Sequence, residues 1–343
     1  VTDVPAYSFG LDTFGDVTEG TSQAQVLRDV VEQAVLADAV GVDAIGLGEH
    51  HREDFAISAP DVVLAAVAAR TSRILLGTAV TVLSTDDPVR VFERFATLDA
   101  LSHGRAEVTV GRGSFTESFP LFGHDLDDYE RLFEEKLEIF TALRREGPLH
   151  WEGTVRPPLT GQRAFPTTER GSLPTWVGVG GSPESVVRAA RHGLPMMLAV
   201  IGGAPARFAP YADLHRRALA ELGHPPQPIG VHAPGFVAAD DQTARDLLFG
   251  PFKANRDRIG RERGWPATTR DQFEAEADRG AVFVGSPETV ARRVAETLRV
   301  LGAQRFDLKY ANGPLPHDHL LECVGLYGDE VVPRVRRMLH DDR

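Results

Sequence analysis

The chain has 343 residues, 42% hydrophobic, 25% charged and 8% aromatic, ordinary globular proportions that exclude a disordered, collagen-like or disulfide-scaffold protein. Its 37 Lys and Arg stand against 49 Asp and Glu, and a net charge of −12 has the wrong sign for electrostatic binding of nucleic acid. The single Cys323 can form neither an internal disulfide nor a cysteine-based metal site, no apolar run reaches the ~18 residues that span a bilayer, and Val1-Thr2-Asp3-Val4-Pro5 is not a leader pattern, so a cytoplasmic protein without a membrane segment is expected.

The spacing of apolar residues predicts a strand over 7–11, a helix over 22–40 stopped by Gly41, a strand over 44–47 and an Ala/Val-rich helix over 61–70 behind Pro60. A third strand follows over 74–83 and a helix over 88–101. A fourth strand, over 105–111, alternates Ala106, Val108 and Val110 against Glu107 and Thr109. The rhythm breaks at 112–127, resumes with a helix over 128–145, and breaks again in the proline-rich 147–174. Strands over 175–179, 195–201, 229–238 and 305–310 then alternate with helices over 183–192, 206–222, 242–261 and 288–301, with an irregular piece at 264–280 and a last helix over 318–339. Eight strands alternating with at least eight helices make the arithmetic of a single-domain (β/α)₈ TIM barrel with insertions after strands four and seven. The rival, a doubly wound sheet, is disfavoured because the first strand–helix turn, 12–20, lacks the glycine fingerprint that cradles a dinucleotide.

In a barrel the residues just after each strand carry the chemistry. After strand two comes Gly48-Glu49-His50-His51-Arg52-Glu53-Asp54-Phe55. Either histidine could be a general acid or base, and alternation turns the two rings to opposite sides; the plainer alternative is that both hydrogen-bond neighbouring loops. Adjacent histidines do not supply metal-ligand geometry, and His317-x-His319 sits behind Pro314 and Pro316 at a loop–helix boundary, so no metal is expected. After strand four, Gly111-Arg112-Gly113-Ser114 offers a guanidinium between glycines, suited to phosphate oxygens or equally to a structural ion pair. After strand five, Val179-Gly180-Gly181-Ser182-Pro183-Glu184-Ser185 places Ser182 at an N-cap and Pro183 at N1, an anion site or capping alone. If both are phosphate ligands, they converge on one anion. Gly77-Thr78-Ala79-Val80-Thr81-Val82 reads by propensity as a buried strand.

In this order, Gly48-Glu49-His50-His51, Gly77-Thr78-Ala79-Val80 running into Asp87-Pro88-Val89-Arg90, Leu98-Asp99-x-Leu101-Ser102-x-Gly104-Arg105 and Gly111-Arg112-Gly113 resemble the bacterial luciferase-like flavin monooxygenases. The segments 174–179, 193–196 and 285–287 extend the resemblance over most of the chain, and Glu49-His50-His51-Arg52-x-Asp54-Phe55 with Ser114-Phe115-x-Glu117-Ser118-Phe119-Pro120 is similar to one group of actinobacterial-type members. The resemblance implies FMN, or reduced FMN, at the carboxyl-end mouth, a flavin hydroperoxide formed with molecular oxygen, a small organic substrate, a separate flavin reductase and a homodimer. It assigns His50 to the peroxide's proton, with His51 and Glu49 beside it, and Arg112, Val179, Gly180, Gly181, Ser182 and Ser185 to the phosphate pocket. Thr78, Ala79 and Val80 are implied to lie under the isoalloxazine ring, with a non-prolyl cis peptide between Ala79 and Val80. Gly111 stands where the light-emitting enzymes carry a cysteine, so light emission is not expected. Deazaflavin (F420)-dependent hydride transfer and a non-catalytic flavin-binding subunit are the alternatives that the family also contains. Phe14, Phe55, Phe115, Phe119, Trp151 and Met197 are candidate substrate walls, and 264–280 a candidate lid.

Overall fold

A computed structural model describes residues 7–113 and 115–340; the first five residues, expected not to be a leader, and Ser114 lie outside them. Eight parallel strands form a ring: β1 (Ser8–Thr13), β2 (Ala44–Leu47), β3 (Leu75–Thr78), β4 (Val108–Gly111), β5 (Thr175–Val179), β6 (Met196–Ala199), β7 (Ile229–Val237) and β8 (Arg305–Lys309). Each pairs with the next, β8 returns to β1, and a continuation of β3 at Thr81–Val82 together with a Leu76–Ala106 bridge closes the cylinder between β3 and β4. The chain is therefore a TIM barrel, as its rhythm predicts.

Helices α1 (Gln23–Ala39), α2 (Pro60–Ala68), α3 (Pro88–Leu101), α4 (Tyr129–Leu143), α5 (Pro183–Arg191), α6 (Ala209–Glu221), α7 (Asp241–Arg263), α8 (Arg270–Arg279), α9 (Pro287–Leu301), α10 (His317–Leu326) and α11 (Val332–His340) follow. Several begin on the same chemistry. Asp87 before Pro88, Ser182 before Pro183 and Ser286 before Pro287 accept backbone N–H bonds while proline, lacking a donor, takes the first helical position.

Four expectations need correction. The run 74–83 is two short strands, interrupted at Ala79–Val80, whose peptide is cis. The stretch 147–174 holds an antiparallel hairpin, Leu149–Trp151 with Leu159–Gln162. The supposedly irregular 264–280 contains α8, started by a capping box in which Thr269 and Gln272 satisfy each other's backbone donors. The last helix is broken by a π turn, Tyr327–Val331.

Alternation sorts each barrel strand into two faces. Phe9 and Leu11, Val108 and Val110, Val177 and Val179, Phe306 and Leu308 are buried outward against the helices, each worth about 2 kcal/mol in burial. The inward face is charged. On β8, Arg305 Nη1 meets Glu107 Oε1 at 2.6 Å and its Nε lies 2.9 Å from Asp307 Oδ1, with Trp176 stacked beside the guanidinium. Burial, aided by Asp12 and Glu107 and opposed by Arg305, pushes the Asp307 carboxyl up to about 7. Glycines on neighbouring strands make room: a Cβ at Gly46 would stand 2.0 Å from Asp12 Oδ1.

Candidate active site at the barrel mouth

The carboxyl ends of β1, β2, β3 and β8 bring Phe14, His50, Val80 and Lys309 to the mouth. The ring of His50 lies 4.5 Å from Phe14, 4.6 Å from Phe55 and 5.2 Å from Phe115. Burial in this cage, together with the charges of Lys309, Arg52 and His51, pushes its pKa down to about 3, so it is a neutral imidazole at pH 7. His51 faces the other way, as alternation requires, with Nε2 3.0 Å from Glu49 Oε1 and its edge on Phe122. Glu49 is buried, and its Oε2 accepts the Val82 N–H at 2.8 Å. Glu49 and His51 thus fasten the β2 loop to β3, and of the three predicted catalytic residues His50 alone stands in the aromatic cage.

Lys309 is buried with Nζ 3.3 Å from Asp16 Oδ2, bonded to the Ala311 carbonyl and 4.4 Å from the centre of the Phe14 ring. Burial lowers the pKa of the lysine and raises that of Asp16. The pair escaped sequence reading because Arg305-Phe306-Asp307-Leu308-Lys309 resembles a solvent-facing edge. On the far side, His232 Nδ1 lies 2.6 Å from Asp12 Oδ2, and its ring is parallel to Phe14 at 6.2 Å.

Thr78 is spent on structure: its hydroxyl donates to the Thr109 carbonyl at 3.0 Å and accepts the Thr109 N–H at 3.2 Å. Beyond it, Val80 leans over Gly111 and Gly178, where added Cβ atoms would stand 2.5 and 3.0 Å from its methyls. A cysteine at position 111 would therefore collide with Val80 unless that side chain moved.

The two predicted phosphate ligands meet. Arg112 Nη2 donates to Ser185 Oγ at 3.1 Å, and Ser182 Oγ accepts the Ser185 N–H at 3.3 Å at the start of α5. Gly181 has φ +101°, a backbone conformation side chains resist, and Gly180 has open space where a Cβ would stand. Val179 instead points into the core. Arg112 and Arg188 both bond the half-exposed carboxylate of Glu130, the latter at 2.7 Å, so two guanidinium groups already converge on an anion here. A guanidinium fork, a hydroxyl and a helix start are donors of the kind that suit a phosphate monoester.

The loop after β2 is tied to α7 across the rim. Arg52 Nη2 meets Glu262 Oε1 at 2.5 Å and its Nε meets Asp54 Oδ1 at 3.0 Å, with Glu117 as a third partner; Arg258 reaches Glu53 at 2.6 Å. Of the predicted walls, Phe14, Phe55 and Phe115 surround His50. Phe119 is buried on Tyr129, Trp151 is in the hairpin, and Met197 packs inside the barrel near Gly230. Asp29, Glu32 and His317 approach within 4.8 Å of one another beside α1, but His317 Nδ1 is already 3.0 Å from Gln33 Nε2.

The model of the luciferase-like monooxygenase family matches residues 8–305, and the chain belongs to that family of enzymes. The alkanal monooxygenase alpha chain of Photorhabdus luminescens is 30% identical over 59% of this chain and 56% of its own length, so the chain aligns with little more than half of that relative. Monooxygenase RslO1 of Streptomyces bottropensis superposes with a TM-score of 0.82 at 26% identity, covering 95% of this chain and 99% of that one. The oxygenating constituent of 3,6-diketocamphane monooxygenase from Pseudomonas putida, solved with FMN, shares the fold with a TM-score of 0.78 at 18% identity, over 96% of this chain and 99% of that one.

Proposed function

We propose that the chain is a monooxygenase that takes FMN in its reduced form at the barrel mouth and oxidises a small organic substrate with molecular oxygen. The observation that carries this reading is the contact between Arg112 and Ser185 at the start of α5, an anion cradle one strand from the His50 cage. Reduced flavin, when bound, supplies the oxygen activation. Arg112, Ser185 and the amides after Gly181 hold the phosphate. Val80, which leans over Gly111 and Gly178, would back the ring system, and Phe14, Phe55 and Phe115 would exclude water from it. His50, uncharged, can hold or give a proton at a ring nitrogen without carrying a buried charge. Electrons come from a separate flavin reductase, since the β1–α1 turn has no dinucleotide fingerprint. A cytoplasmic homodimer completes the reading.

The test is a fluorescence titration with FMN, riboflavin and the deazaflavin F420. Arg112→Ala is expected to weaken FMN by about 10- to 100-fold, the worth of a charge-assisted hydrogen bond, and to leave riboflavin unchanged. Equal losses for both flavins would refute the phosphate assignment. Preferential binding of F420 would replace oxygenation with hydride transfer.

A further inference from the structure

The barrel holds a second histidine at its mouth, with a buried carboxylate behind it. Asp12, at the inward face of β1, is 2% exposed and places Oδ2 2.6 Å from His232 Nδ1 on β7, more than two hundred residues away in sequence. Its other oxygen, Oδ1, is buried with no hydrogen-bond partner. A carboxylate oxygen at that distance favours the tautomer of the neutral ring that donates from Nδ1, which leaves Nε2 as the accepting nitrogen. The His232 side chain is 12% exposed and parallel to Phe14, which also touches His50, Phe55 and the Lys309 ammonium. Inside a closed cylinder the ring reaches solvent through the mouth. Nε2 has no partner among the described residues.

His50 and His232 are chemically unequal. His50 sits among Phe14, Phe55 and Phe115 with cationic Lys309 and Arg52 acting on it and no carboxylate bonded to its ring, so a proton added there is repelled. His232 faces Asp12 from β1, is register-paired with Asp307 of β8 and shares Phe14 as a neighbour with Lys309. Of the two, it is the ring with an anion placed to receive the imidazolium.

We infer that Asp12 and His232 form a proton-accepting dyad for the bound substrate, whose class is a planar ring bearing an acidic hydroxyl. The substrate's O–H bond breaks, its electron pair stays on oxygen, the proton forms the Nε2–H bond, and Asp12 holds the resulting cation. Phe14, half-buried and parallel to His232, is the aromatic neighbour beside which a planar ring would lie. The inference rests on the reading of the mouth as the active site, although the dyad is a property of the chain alone.

Two measurements test it. In ¹⁵N NMR of the flavin-free protein, His232 is expected as the Nδ1–H tautomer, shifting toward Nε2–H in Asp12→Asn; an Nε2–H tautomer in the unaltered protein would overturn the dyad, and no variant is needed to see it. In the second, 4-nitrophenol is added to the FMN-loaded protein and its ionised absorbance followed against pH. Binding is expected to ionise the phenol at least ten-fold more than in buffer, with the effect lost in His232→Gln. No enhancement, or equal enhancement in His232→Gln, overturns the proposal. Failure to bind FMN would instead count against the function proposed above, leaving the tautomer measurement to decide the dyad.

Discussion

His50 shows how far surroundings decide what a residue can do. Three aromatic rings desolvate it, and Lys309, Arg52 and His51 disfavour its charged form. An unfolded histidine takes up a proton below about 6.5, whereas this one stays neutral down to about 3. Between those values the unfolded chain binds more protons, so stability present above pH 6.5 is lost as pH falls. Replacing the ring removes that contribution: His50→Asn is expected to flatten the acid limb of a denaturation-versus-pH curve by roughly 1 kcal/mol per pH unit between 6 and 4. Parallel limbs in the two proteins would show that His50 is not held neutral. The motif Glu49-His50-His51 was legible in sequence, but the division of labour was not. Glu49 and His51 bind each other and β3, and a lone histidine in Ile229-Gly230-Val231-His232 carries no signal until the fold lays Asp12 beside it.

At the scale of elements, the rim is held by charge. Arg52, with a side chain 7% exposed, ties Glu262 and Asp54, and an open groove of about 510 Å³ runs along the seam between Glu53, Arg258, Arg261 and Glu262. The guanidinium is buried, but the Glu262 carboxylate that anchors it to α7 is half-exposed, so salt screens that pair. Arg52→Ala is therefore expected to speed amide hydrogen exchange over 258–264 several-fold, and high salt to do part of the same in the unaltered protein. Exchange there that ignores both changes would mean that packing, not charge, holds the end of α7. Element starts were readable wherever Asp or Ser precedes proline, because the cap and the missing donor are local chemistry. The polar stretch 264–280 hid α8, whose only apolar anchors are Phe273 and Ala277; too few repeats were present to show a helical period.

For the molecule as a whole, the inside of the ring is the unusual region. Arg305 lies between Glu107 and Asp307, all buried. Removing one member strands the others: Arg305→Met is expected to cost about 3–5 kcal/mol in chemical denaturation. Replacing Glu107, Arg305 and Asp307 together with apolar residues should recover much of that loss, and a triple variant no more stable than Arg305→Met would show that the charges are needed for packing. The sequence by itself determined the order of the eight barrel strands, the outward apolar faces and the loops that carry Arg112 and His50, because alternation, capping and turn chemistry act between near neighbours. Only the closed sheet decided which charged face turns inward and which distant partner neutralises each group. A period of two says that a strand has two unlike faces; it does not say that the polar one, enclosed by seven other strands, is the interior.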